Sequence, residues 1–131
     1  TTKTFYPDYD TESGSTYAYT VRAVSNGHFS DYVRDGVVIT RLAAPKLVSA
    51  VSSREGITVN FEQVNGATRY NIYRKQPGKT WQMIGKITDL KSSAYLDKSA
   101  VKGVTYTYTV RAVYGSEMSS YYSGISCKDL Y

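Results

Sequence analysis

The 131-residue sequence has one cysteine, Cys127, and one histidine, His28. A lone cysteine excludes an internal disulfide and a cysteine-based zinc site, and it leaves the redox compartment open. Nucleophilic catalysis needs a base beside a Ser or Cys nucleophile. His28 falls in a loop after a strand ending at Val24, and the matching loop further along has no histidine, so it reads as a surface residue. No stretch approaches the roughly 20 apolar residues that a membrane-spanning helix needs. No signal peptide opens the sequence, which leaves secretion undecided. Sixteen Lys and Arg stand against eleven Asp and Glu, a net charge of +5, and basic residues never run beyond two. Charge scattered in this way is a solvated surface, not a nucleic-acid footprint.

What the sequence has in excess is tyrosine, fourteen of them, which with many Thr and Val favours strands over helices. Hydrophobic residues make up 41%, enough to build a core. A repeat then organises the chain. Residues 16–24 read TYAYTVRAV and residues 105–113 read TYTYTVRAV, identical at eight of nine positions at an offset of 89. Tyr6, Asp8 and Gly14 map on Tyr95, Asp97 and Gly103; after one residue is dropped from a loop, Gly36, Ile39 and Leu42 map on Gly124, Cys127 and Leu130. Residues 43–131 therefore read as one full repeat, and residues 1–42 as the last half of a preceding one. Solenoid units run to about 20–50 residues, so the longer period suits an array of domains. The join Leu42-Ala43-Ala44-Pro45 is short and proline-bearing, and is expected to hold neighbouring domains at a restricted angle.

Within the full repeat, alternating apolar and polar residues predict seven short strands. Lys46–Ser53 comes first, then the strand carrying Ile57, Val59 and Phe61 on one face. A strand from Tyr70 follows the Asn65-Gly66 turn, then Trp81–Ile87 and Ala94–Asp97. The clearest strand carries Tyr106, Tyr108, Val110 and Ala112 on one face, and the last runs from about Tyr121 to Leu130. Seven antiparallel strands in so short a span predict an all-β, two-sheet sandwich.

The run Gly103-Val104-Thr105-Tyr106-Thr107-Tyr108-Thr109-Val110-Arg111-Ala112-Val113 resembles the sixth strand of fibronectin type III domains, of the immunoglobulin-like class. Gly66–Lys75 resembles the third strand of bacterial members. The resemblance implies a tyrosine corner at Tyr106, and at Tyr17 in the half repeat. Phe61 stands where that family usually carries a buried tryptophan. The resemblance implies an extracellular or cell-surface, multidomain bacterial protein, with this piece a non-catalytic spacer or interaction module whose partners are neighbouring repeats. Alternatives are a carbohydrate-binding module, or the accessory region of a larger glycoside hydrolase or peptidase.

Little else carries chemistry. Asp8-x-Asp10-x-Glu12 lacks the glycine and the glutamate of a calcium loop at their required places, and reads as a turn. Cys127 maps on Ile39 and reads as a small buried hydrophobe. The loops Ser25–His28 and Tyr114–Glu117 carry no Arg-Gly-Asp motif, and Arg34-Asp35-Gly36 has those residues in another order. No cofactor or metal is expected. The remaining candidate ligand surface is aromatic: Tyr73, Trp81, Tyr114 and Tyr122, expected outside the core, could face a glycan or a surface protein. In residues 1–42, Tyr17, Tyr19, Val21, Ala23 and Ile39 lack a facing sheet. That half is expected to pair with another chain, as a dimer, a swap or a cleaved fragment.

Overall fold

The computed structural model describes residues 3–131. Twelve strands and no helix appear among them: β1 (Thr16–Tyr19), β2 (Val24–Ser25), β3 (His28–Phe29), β4 (Val37–Thr40), β5 (Leu47–Ser53), β6 (Gly56–Phe61), β7 (Arg69–Lys75), β8 (Gln82–Ile87), β9 (Ala94–Asp97), β10 (Thr105–Tyr114), β11 (Glu117–Met118) and β12 (Ile125–Lys128).

From Leu47 onwards the chain is a two-sheet sandwich. One sheet runs in the order β5-β6-β9, and the other in the order β8-β7-β10, with β11 and β12 both paired to β10. All these pairings are antiparallel. The alternation seen in the sequence decides the faces. Ile57, Val59 and Phe61 point from β6 into the sandwich, and Tyr106, Tyr108, Val110 and Ala112 meet them from β10, all buried. Phe61 packs against Tyr70 with ring centroids 4.9 Å apart, filling the place of the larger indole with an aromatic pair. The core divides into two groups. One gathers Phe61, Tyr70, Ile72, Ile87, Val110 and Ala112. The other gathers Ile57, Val59, Tyr106 and Tyr108, with Cys127 packed at its margin. Cys127 is half-buried rather than enclosed, and burial pushes its thiol up from the ordinary value.

The last strand departs from the expectation. It does not run unbroken from Tyr121; β11 and β12 are separated by residues 119–124. Ser119 is the cause. Its hydroxyl accepts from the Ala112 amide (2.9 Å) and donates to the Ser120 carbonyl (2.7 Å), so a side chain takes up backbone groups that a continuous ladder would use. The Thr109 hydroxyl then bonds the Tyr122 carbonyl (2.8 Å) and fixes the bulging loop over β10.

Residues 3–42 form two-stranded ribbons only, β1 with β4 and β2 with β3. The segment is docked on the sandwich. Leu42 lies in the first core group and is 5% exposed. The Ser13 hydroxyl donates to the Asn65 carbonyl (2.7 Å) and accepts from the Ala43 amide (3.0 Å). Glu117 Oε2 accepts from the Thr40 amide (2.8 Å). Gly14 and Gly66, both at positive φ, meet backbone to backbone, closer than a Cβ on Gly66 would allow.

Candidate functional site

Antiparallel pairing sets Tyr73 of β7 opposite Thr109 of β10, so these two and Arg111 share the outer face of the larger sheet. Trp81 enters from the turn ahead of β8, and Tyr121 from the loop between β11 and β12. The Trp81 and Tyr121 rings meet edge to face, 6.1 Å apart at 77°. Lys75 Nζ stands 4.7 Å from the Trp81 ring centroid, and the Arg111 guanidinium 5.5 Å from that of Tyr121. Each such contact contributes about 0.5–1 kcal/mol at a surface. Gly124, at φ 112°, lies against the edge of the Trp81 ring, where a Cβ would collide with Thr107 and crowd the indole. Tyr73, Trp81, Thr109, Arg111 and Tyr121 line a cleft of about 110 Å³.

Of the four aromatic residues singled out from the sequence, Tyr73 and Trp81 share this cleft. Tyr122 does not; it lines a separate cleft with Lys46, Leu47 and Ile125. Tyr114 lies at the far end of β10, paired with Glu117. Tyr121 and Arg111 complete the cleft instead. Parity cannot carry past the Ser119 bulge, so no strand pattern distinguishes Tyr121 from Tyr122.

A cleft of this size is well below the roughly 300–1,000 Å³ of a site that encloses a substrate. It offers aromatic faces and cations, and no nucleophile beside a base. Among the described residues no group of three His, Cys, Asp or Glu could hold a metal. A larger cleft of about 460 Å³ opens at the β7–β8 turn, lined by Arg74, Lys75, Lys79 and Tyr106 among others; it contains no carboxylate. Asp8 serves the turn that contains it, accepting from the Asp10 amide (3.0 Å). His28 is exposed in the β2–β3 hairpin, opposite Ser25.

The polar centre with the most bonds lies inside the sandwich. Asp97, 2% exposed, accepts from the Tyr108 hydroxyl (2.7 Å), Arg74 Nη1 (2.8 Å), the Ser99 amide (3.0 Å) and the Ser99 hydroxyl (2.7 Å). Arg74 also lies over the Tyr106 ring at 4.5 Å. Burial alone would push the Asp97 carboxyl up, but bonds from Ser99, Tyr108 and Arg74, with the Arg74 charge, outweigh it and hold the group below its ordinary value. The Tyr108 hydroxyl is pushed far up, by burial and then by its bond to Asp97. This cluster ties β7, β9 and β10 together. Beside it the Tyr106 hydroxyl accepts from the Val101 amide five residues back (3.3 Å), the geometry of a tyrosine corner, and Tyr17 does the same with the Glu12 amide (2.9 Å).

Two sheets with this strand order, and a corner tyrosine at the start of β10, define an immunoglobulin-like sandwich. The chain has the fold of fibronectin type III-like proteins. It is similar to a solved Fn3-like protein from Clostridium thermocellum, with 27% identity and a TM-score of 0.56, covering 64% of this chain and 88% of that one. A β-1,2-glucanase from Parabacteroides distasonis shares the fold at 22% identity and a TM-score of 0.63, over 82% of this chain and 17% of that one. An amylopullulanase from Thermoanaerobacterium saccharolyticum is 30% identical over 80 residues, 60% of this chain. The chain spans only 6% of that relative's length. No family model matches the chain.

Proposed function

We propose that this chain is a non-catalytic spacer and accessory module of a secreted, multidomain bacterial protein of the glycoside hydrolase type. The observation that carries this reading is the junction. Leu42 enters the core of the sandwich that follows it, while Ser13 and Glu117 bond across the join. A linker with a buried anchor holds neighbouring units at a fixed angle, which is what a spacer does and a flexible tether does not. The names of two similar proteins, an amylopullulanase and a β-1,2-glucanase, support the kind of parent. No helix among the described residues is long and apolar enough to cross a membrane. Residual dipolar couplings measured on the 131-residue chain test the reading. One alignment tensor is expected to fit residues 8–42 and 47–128 together, and the fit is expected to fail in Leu42→Ser. Separate tensors in the unaltered chain would sink the spacer role.

A second reading is favoured by the Tyr73–Trp81–Tyr121 cleft: a shallow sugar-stacking surface on the outer sheet. Affinity electrophoresis through gels holding pullulan or β-1,2-glucan decides it. Retardation of the native chain that is lost in Trp81→Ala and kept in Tyr114→Ala supports it; equal mobility of all three with and without polysaccharide removes it.

A further inference from the structure

The turn between β7 and β8 is held by its own backbone. The Gln76 carbonyl accepts from the Lys79 amide (3.0 Å) across Pro77 and Gly78. Pro77 fixes the first central residue, and Gly78, at φ 71°, supplies the left-handed second one, as in a type II turn. Lys79 is thereby presented from a fixed backbone, close to Lys75 at the end of β7. Both lysines line the cleft of about 460 Å³ that opens at this turn, with Arg74, Gln76, Thr80 and Gln82. That volume lies within the range of sites that hold a small ligand.

The charges of this cleft are unbalanced. Arg74 is neutralised by Asp97 and also donates to the Ser99 hydroxyl (2.9 Å). Lys75 and Lys79 have no carboxylate at ion-pairing distance among the described residues. Lys75 instead caps the Trp81 ring, 4.7 Å from its centroid. That is a weak hold, which a carboxylate can displace. Trp81 also walls the smaller cleft with Tyr73 and Tyr121, so Lys75 links the basic cleft to the aromatic one. The neutral lining adds to this. Gln76, Thr80 and Gln82 are exposed and present amides and a hydroxyl, which can donate to and accept from hydroxyl groups. Unpaired cations among such groups, beside an aromatic face, match a sugar that carries negative charge.

We propose that the cleft at the β7–β8 turn binds the carboxylates of an acidic polysaccharide through Lys75 and Lys79, with an adjoining sugar ring laid on Trp81. The placement of that ring rests on the sugar-stacking reading of the Trp81 cleft; the carboxylate site does not. A carboxylate that draws Lys75 towards itself lifts the ammonium off the indole and frees the face on which a sugar stacks, so the two contacts favour each other. A phosphate polymer fits less well. Phosphate is best held by a free guanidinium fork or by converging backbone amides. Here the one guanidinium is engaged by Asp97, and the Lys79 amide closes the turn. Two ammonium groups on separate backbone positions suit single charges spaced along a chain, one on each acidic sugar. The net charge of +5 favours the approach of such a polymer.

The test compares the mobility of the 131-residue chain in gels with and without polygalacturonate, pullulan or polyphosphate. Polygalacturonate is expected to retard the chain and to shift the emission of Trp81, the single tryptophan. With Lys75→Gln and Lys79→Gln together, the apparent Kd for polygalacturonate is expected to rise about tenfold, as two exposed charge contacts are lost at once. Arg34→Gln with Lys91→Gln removes the same charge from two exposed positions outside the cleft, and is expected to change that Kd by less than about twofold. At about 1 M salt, where charges are screened beyond about 3 Å, retardation is expected to vanish. No retardation by polygalacturonate, or an equal loss in the two charge-matched variants, overturns the proposal. Stronger retardation by polyphosphate than by polygalacturonate also overturns it. Pullulan retarding the chain as strongly, with the lysine variant unaffected, overturns it and leaves the stacking reading in place. Loss in the lysine variant but not in Trp81→Ala supports the carboxylate site and removes the stack.

Discussion

Asp97 shows what a single residue contributes to this fold. Its carboxylate is satisfied by four donors from Arg74, Ser99 and Tyr108. Breaking a buried ion pair by removing one partner costs about 3–5 kcal/mol, since the other charge stays behind. Arg74 keeps 19% of its side chain exposed and can partly rehydrate, so Asp97→Asn is expected at the low end, about 3 kcal/mol in urea unfolding. The pH dependence has a definite sign. A carboxyl held below its ordinary value in the fold contributes fully above the unfolded value of about 3.9. That contribution is lost as pH falls through the lower folded value. Stability of the native chain should therefore drop as pH is lowered below about 4, and Asp97→Asn should flatten that drop; an unchanged acid limb in the variant would contradict it. Tyr108→Phe, which removes one bond to the same carboxylate, is expected to cost about 1.5–3 kcal/mol. Its repeat copy Tyr19→Phe lies at the surface and should stay within about 0.5 kcal/mol.

At the scale of elements, the strands with clean alternation were legible and the irregular segment was not. Ile57, Val59 and Phe61, and likewise Tyr106 to Ala112, announce their faces because a period of two has one physical meaning in a half-covered sheet. The same logic drew the last strand from Tyr121, where the structure has a loop. The Ser119 side chain diverts the backbone there, and no periodicity records a side-chain-to-backbone bond. That diversion selects Tyr121 over Tyr122 as the partner of Trp81, so the candidate cleft was only half readable: Tyr73 and Trp81 from strand pattern, Tyr121 and Arg111 from folding alone. Arg74 was equally hidden, because a charged residue in a strand reads as solvent-facing until its buried partner is known. The loop also rests on Gly124, whose positive φ and contact with Thr107 and Trp81 leave no room for a side chain. Gly124→Ala is expected to cost about 1–3 kcal/mol. Trp81 is the single tryptophan, so its emission should shift in the same variant; an unmoved spectrum at unchanged stability would show that the loop does not depend on this glycine.

For the whole molecule the question is where the sandwich ends. The repeat boundary read from the sequence lies after Leu42, yet the Leu42 side chain packs with Phe61, Tyr70 and Val110 in the core beyond it. A four-residue join can therefore be stiff without being long, because its first residue is anchored by burial. Leu130 is the repeat copy of Leu42 and gives an internal control: it is 64% exposed where Leu42 is 5% exposed. Leu42→Ala is expected to destabilise the sandwich by about 2–5 kcal/mol, as for other core leucines. Leu130→Ala should stay within about 0.5 kcal/mol. Equal effects of the two, measured on the unfolding transition followed by Trp81 fluorescence, would mean that Leu42 merely lies on the sandwich. A difference of the expected size would mean that the sandwich completes its core with a leucine from the segment ahead of it, so that stability and the angle of this join are set by the same side chain.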